Sequence, residues 1–344
     1  MNTLSKVISI LSISLIISIG GGVEIIAQTR CYTTNYNKAE QLYRQGRYAE
    51  ARRHYAAASA CPDKPKQNNI AARISACDNA IREREDAERR RKLGKMRQAE
   101  AAKQEFMDKY GRTFTVNGVS FSMILVEGGT FTMGDNSDDY VYRNYPATEH
   151  QVTLSDYYIG QTEVTQALWE AVTGDDLSQM RDVYRGDNKP MDAPWDEWQD
   201  FIDRLNELTG LKFRMPTEAE WEYAAMGGNR SRGYIYAGSN NLNEVAWYYE
   251  NSGSYPQPVA TKKPNELYLY DMSGNVAEWV SDWFAPYSSA PQTNPTGPRS
   301  GKRRIVRGSA ANATINIEES FRIKSRISFD PENWYGLRLA LSVE

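Results

Sequence analysis

The sequence predicts an α+β protein, a helical N-terminal part followed by a larger globular part with little regular secondary structure. Three observations carry this. All eight tryptophans lie at or beyond Trp169, whereas the segment before Gly111 is rich in Ala, Arg, Lys and Glu. Near Thr113 the pattern changes to alternating apolar and polar residues around Asn117-Gly118, a hairpin signal. Beyond it, short capped helices alternate with stretches of Gly, Asn, Ser and Tyr, a composition held by aromatic packing and turn chemistry.

The 344 residues suit one large domain and a smaller one, and a net charge of -3 gives no electrostatic case for nucleic acid or an anionic membrane surface. The only histidines are His54 and His150, one in each part, so neither part alone builds a histidine metal centre or a histidine-dependent triad.

The predicted divisions are 1–27, 28–77, 78–112 and 113–344. Lys6 precedes the apolar run Val7 to Ile19, too short to favour a stable membrane span. With a cut at Ala27/Gln28 this reads as a signal peptide, which predicts export to the periplasm or cell surface with no membrane span after processing. An uncleaved anchor helix is the alternative.

Asn35 to Asp63 read as a helical hairpin with Gly46 at the turn, and the small and aromatic residues resemble one tetratricopeptide repeat. Ile70, Ile74, Cys77 and Ile81 offer the next apolar stripe. A bridge between Cys61 and Cys77 is expected in an exported protein, or else two small buried thiols, with Cys31 left over. Both charge signs interleave from Asp78 to about Tyr110, including Arg89 to Lys92, which predicts a solvated charged helix.

In the globular part, Thr165 caps a helix from Gln166 that stops at Gly174, and Trp195 to Leu208 forms a second that stops at Gly210. Thr217 and Glu220 form a capping box for a third. The stretch Asp271-Met272-Ser273-Gly274-Asn275-Val276-Ala277-Glu278-Trp279 places two carboxylates around a glycine turn. It reads as an oxygen-rich calcium loop or as a tight turn with both acids solvated.

Several motifs occur in a fixed order: Val126 to Gly134, Glu163-Val164-Thr165-Gln166, Arg214 to Ala225, Asp271 to Trp279, Arg304 to Ser309, and Gly336-Leu337-Arg338-Leu339. Together they resemble the sulfatase-modifying factor family, whose founding activity is the formylglycine-generating enzyme, over roughly residues 119–343. The resemblance implies a C-type-lectin-like α+β fold. It also implies a structural calcium held by Asp271, Glu278 and the carbonyls of Gly274 and Val276. Tyr268 stands where a glycine is usual and Ala277 where a tryptophan is common. The family's other calcium site draws on a loop that is shortened here.

Formylglycine generation needs two cysteines that bind copper(I) shortly after an Arg-Gly-Gly-Ser motif. Here Arg307-Gly308-Ser309 has lost one glycine, the cysteine places fall at about Asn312 and Ile317, and no cysteine lies beyond Cys77. That mechanism and copper are therefore not expected. The family's iron-dependent sulfoxide synthases need a histidine set, which His150 alone does not supply.

The leading expectation is a non-catalytic, calcium-braced binding or scaffold module in the cell envelope. Its partner is an envelope or secreted protein, met through the helical hairpin or the C-terminal loops, with Ser309, Asn312, Asn316, Arg322, Arg326 and Trp334 as the candidate surface. The alternatives are a cysteine-independent peptide-modifying enzyme using Ser309, Arg307 and Glu278, and a ligand-binding protein with a variable C-terminal lectin-like loop.

Overall fold

The structure, a computed structural model, describes residues 31–136, 147–314 and 317–343. The expected signal peptide, 1–27, lies outside the described residues. Two compact units meet in sequence between Glu100 and Ala101.

The first unit begins with α1 (Cys31–Arg44), α2 (Tyr48–Ala60) and the opening turns of α3 (Ile70–Tyr110). Ala39, Ala51 and Ala58 are fully buried, and these small side chains let α1 and α2 approach closely. Leu42, Tyr55, Ile70 and Cys77 complete the core. Glu40 accepts hydrogen bonds from Tyr55 Oη at 2.6 Å and Arg73 Nη2 at 2.7 Å. The cysteine expectation is corrected: the bridge joins Cys31 to Cys61, with Cα atoms 5.8 Å apart, and Cys77 is a free, buried thiol. An antiparallel hairpin brings the start of its first helix beside the end of its second, which is where these two cysteines stand. Cys77 instead lies on α3 with its side chain buried in the core shared with α1 and α2, where burial raises its thiol pKa.

Helix α3 is continuous, so the charged segment is not a separate element. Its last turns belong to the globular unit, because Phe106 and Tyr110 are buried in that unit's core. Among the described residues, no helix is long and apolar enough to cross a membrane.

The globular unit opens with the hairpin β1 (Gly111–Val116) and β2 (Val119–Val126), turning through Asn117 and Gly118, both at positive φ. Next come β3 (Gly129–Asp135), β4 (Ala147–Leu154), β5 (Tyr157–Gly160) and α4 (Gln166–Thr173). Helix α5 (Trp195–Thr209) leads to β6 (Phe213–Arg214) and α6 (Glu218–Ala225). The predicted caps are present. Thr165 accepts from Leu168 N, Gly174 and Gly210 are left-handed, and Thr217 with Glu220 makes a complete capping box.

The last strands are β7 (Glu278–Trp283), β8 (Gln292–Thr293), β9 (Arg304–Arg307), β10 (Ile327–Phe329), β11 (Gly336–Leu337) and β12 (Ala340–Ser342). They complete three small sheets, ordered β1-β2-β5-β12-β6, β10-β9-β7-β11 and β3-β4-β8. Strand β12 thus closes against β5 and β6, drawing Arg338 inside. Aromatic packing fills the gaps: Trp169 stacks on Phe201 at 5.4 Å, and Trp195 meets Trp279 edge-on at 5.8 Å.

Candidate functional site

The Asp271–Glu278 loop is built from backbone that few residues tolerate. Asp271, Gly274 and Asn275 all have positive φ. A Cβ on Gly274 would stand 2.5 Å from the Trp247 carbonyl oxygen, so only glycine fits. The loop is tied to the segment after β9, because Gly274 N donates to Gly308 O and Ala311 N donates to Asn275 O.

Its acids are not solvated. Asp271 and Glu278 are buried, and so is Glu163, which accepts from Asn275 Nδ2 and Val276 N, both at 3.2 Å. Arg338 forms a bidentate pair with Glu278 at 2.8 and 3.1 Å, and Trp221 Nε1 donates to the same carboxylate at 2.7 Å. Asp271 Oδ2 accepts from Ala260 N, but Oδ1 is buried without a hydrogen-bond partner. Three buried carboxylates thus face one guanidinium. Burial, opposed by the Ala260 N–H, pushes the Asp271 carboxyl up to about 6. Burial first, then Asp271 and Glu278, raises Glu163 well above the carboxylate range.

A second charged cluster lies between α6 and β9. Arg307 reaches Glu218 at 3.0 Å and Glu222 at 2.5 Å, and Arg326 pairs with both oxygens of Glu218 at 2.8 and 3.0 Å. All four side chains are almost fully buried. Asp282 caps the start of α6 by accepting from Glu218 N.

The segment after β9 lines a cleft of about 160 Å³. Gly308, Ser309, Ala310, Asn312 and Ala313 face Ser325, Ile327, Phe329 and Tyr335 across it, and Ala277 lies at its base. Ala277, at the position where the resemblance implies a tryptophan, lines this space with a small side chain. Ser309 sits at φ 64 directly after Gly308 at φ 89, a left-handed pair.

The candidate surface residues do not form one patch. Ser309 and Asn312 share the cleft, and Trp334, 58 % exposed, adjoins Tyr335 at its edge. Asn316 lies outside the described residues. Arg322 opens on a different pocket with Ile235 and Lys324. Arg326 is corrected from a surface residue to a buried one, because Glu218 takes its guanidinium inside. Nor do Ser309, Arg307 and Glu278 converge as catalytic groups. Only Ser309 lines the cleft, while Arg307 and Glu278 are held in separate buried ion pairs.

Residues 113–343 match the sulfatase-modifying factor enzyme 1-like domain, FGE-sulfatase. The chain belongs to this family. Similar proteins include the formylglycine-generating enzyme of Streptomyces coelicolor, 35% identical over 275 residues, or 62% of this chain and 86% of that protein. Another is the Chaperone protein LppX of Paenibacillus barcinonensis, 33% identical over 254 residues, or 58% of this chain and 82% of that protein. Among solved structures, Treponema denticola variable protein 1 superposes with a TM-score of 0.60 at 30% identity, covering 68% of this chain and 99% of that one. The family's C-type-lectin-like fold accounts for the three small sheets and the many loops.

Glu163, Arg338, Glu218 and Glu222 were not singled out from the sequence as site residues, and Arg307 was named only for the enzymatic alternative, not as the partner of Glu218 and Glu222. One signal was available: Glu218 and Glu222 stand four apart on a capped helix, where two acids share a face and call for a facing cation. Nothing local marks Glu163, whose contacts to the loop cross more than a hundred residues.

Proposed function

We propose that this sulfatase-modifying factor family member is an exported, non-catalytic module that binds a polypeptide partner at the Ser309–Asn312 cleft. The observation that carries the reading is the cleft itself, which the family framework builds and keeps open beside Ala277 although every cysteine of the chain lies at or before Cys77. The likeness to a protein named as a chaperone supports a binding role. The Cys31–Cys61 bridge supports an oxidising compartment, and so export.

Calcium bracing belongs to the same proposal. A divalent cation would balance the two negative charges that Arg338 leaves over among Glu163, Asp271 and Glu278. The donor set fits a hard ion: Asp271 Oδ1 is unpartnered, and among the described residues no donor reaches the carbonyls of Gly274 and Val276. Glu278 would share its carboxylate between Arg338 and the ion. Calcium is expected to raise the melting temperature of the full chain, and Asp271→Ala to abolish that rise. An unchanged melting temperature with calcium and with chelator would leave the loop as a turn only.

The functional test is incubation with a cysteine-containing sulfatase peptide followed by mass spectrometry. The peptide mass is expected to stay unchanged, whereas an aldehyde product would overturn the non-catalytic reading. A second reading, a ligand-binding protein with a variable C-terminal loop, is favoured by the likeness to Treponema denticola variable protein 1. A neighbouring reverse-transcriptase gene with a template repeat would support it.

A further inference from the structure

We propose that a second cavity, beside Asp282, binds a primary alkylammonium on a short apolar stem, as in a lysine side chain. The cavity holds about 290 Å³ and is distinct from the Ser309–Asn312 cleft. That is roughly ten times the space of one water molecule, so a four-carbon amine fits. Its walls are Trp283, Pro286, Tyr287 and Pro295, and its polar groups include Glu218 and Asp282.

The ion pairs leave one acid of the cluster without a contacting cation. Two guanidiniums, Arg307 and Arg326, are matched by two glutamates, Glu218 and Glu222. Asp282 is a third buried acid, and among the described residues it has no ion pair. Its Oδ2 accepts from Glu218 N at 2.9 Å and Ser281 Oγ at 3.0 Å, while no donor reaches Oδ1. Gly297 keeps that oxygen accessible, since a Cβ there would stand 3.0 Å from Oδ1. Tyr287 Oη is also buried without a partner and lines the same cavity. An ammonium has three N–H donors, enough to serve both oxygens, and the proline and aromatic walls suit the methylene stem.

Burial, and then the Glu218 carboxylate, pushes the Asp282 carboxyl up to about 7. The charged or titratable groups around it are Glu218 on α6, Arg326 before β10, Arg304 on β9, His150 on β4, and Tyr287. Arg304 acts on Asp282 through space without forming an ion pair with it: it is stacked between Trp195 at 4.0 Å and Trp283 at 3.5 Å and donates to Ser281 O.

Calorimetric titration of the full chain with n-butylammonium chloride tests the assignment, with n-butanol as the uncharged control. Saturable binding of the amine and none of the alcohol is expected. Affinity should rise about fivefold from pH 6 to 7 and about tenfold in all by pH 8, levelling off above that as the acid ionises. Asp282→Asn should weaken binding at least about tenfold. If that variant does not fold, the wild-type pH profile decides alone. Equal binding of the alcohol, a flat profile from pH 5.5 to 8.5, an unweakened folded Asp282→Asn, or no saturable amine binding would each overturn the proposal. Nα-acetyl-lysine methylamide separates the two sources of this chemistry. Binding as tight as that of butylammonium marks a protein side chain as the ligand, and binding of butylammonium alone marks a free amine.

Discussion

Replacing Arg338 by Leu tests the charge balance on which the buried loop depends. The guanidinium makes two hydrogen bonds to Glu278, one to Gly160 O and one to Tyr270 O, with no solvent exposure on either side of the ion pair. Leucine fills part of the volume but leaves the Glu278 carboxylate buried without its cation, beside Glu163 and Asp271. Breaking a buried pair from one side costs about 3–5 kcal/mol, a large share of the ~5–15 kcal/mol that holds a domain folded. For a unit of this size that is roughly 10 °C in melting temperature. The assay is guanidinium and thermal unfolding in calcium-free buffer, with Arg338→Leu compared against Arg338→Leu/Glu278→Leu. The double variant should be the more stable of the two, because Glu278 is no longer buried as an unpaired carboxylate, while Glu163 and Asp271, both with raised pKa, can take up protons. A single-variant loss below about 1 kcal/mol, or a double variant weaker than the single, would refute the reasoning.

Three further outcomes follow from the packing. Thiol titration of the unfolded, unreduced chain should find one reactive cysteine, Cys77, and Cys31→Ser should cost the helical unit about 3.6 kcal/mol by loop entropy; two or more free thiols would contradict the bridge. Ser309→Gly should stabilise the chain by about 1 kcal/mol in a denaturant titration, since glycine adopts the left-handed φ of 64 without a Cβ clash. Asp282, raised from its ordinary 3.8 to about 7, binds its proton more tightly folded than unfolded. Its contribution is therefore fully present below about pH 4 and lost as pH rises through 7, on the order of 4 kcal/mol in all. Asp282→Asn should flatten this part of the stability–pH curve between pH 4 and 8, and an unchanged slope would count against the raised carboxyl.

What was legible in the sequence was local. Asn117-Gly118, the Thr217–Glu220 capping box and the left-handed stops at Gly174 and Gly210 act within a few residues, and each forms where its chemistry requires. The ordered motifs made the family legible as well, because each marks a turn or a buried residue of the same frame. The site was legible only in part. Ser309 and Asn312 were found because they follow a recognisable motif, whereas Phe329 and Tyr335 reach the cleft from a separate segment. Arg326 reads as a surface residue from its charge, and it is buried because Glu218 and the Ala285 carbonyl take its guanidinium. The cysteine pairing was missed for a related reason. Sequence proximity favours neighbouring helices, but hairpin closure brings together residues thirty positions apart.

The central claim is that the open space at Ala277 and Asn312 is a polypeptide-binding cleft. Its most direct test is a photo-crosslinking amino acid at exposed position Asn312, used in the envelope fraction, with and without Ala277→Trp to fill the cleft. The predicted result is one discrete protein adduct at Asn312 that Ala277→Trp removes and that a crosslinker at the exposed Leu208 does not give. No adduct at Asn312, or one that persists when the folded Ala277→Trp chain is used, would contradict the account.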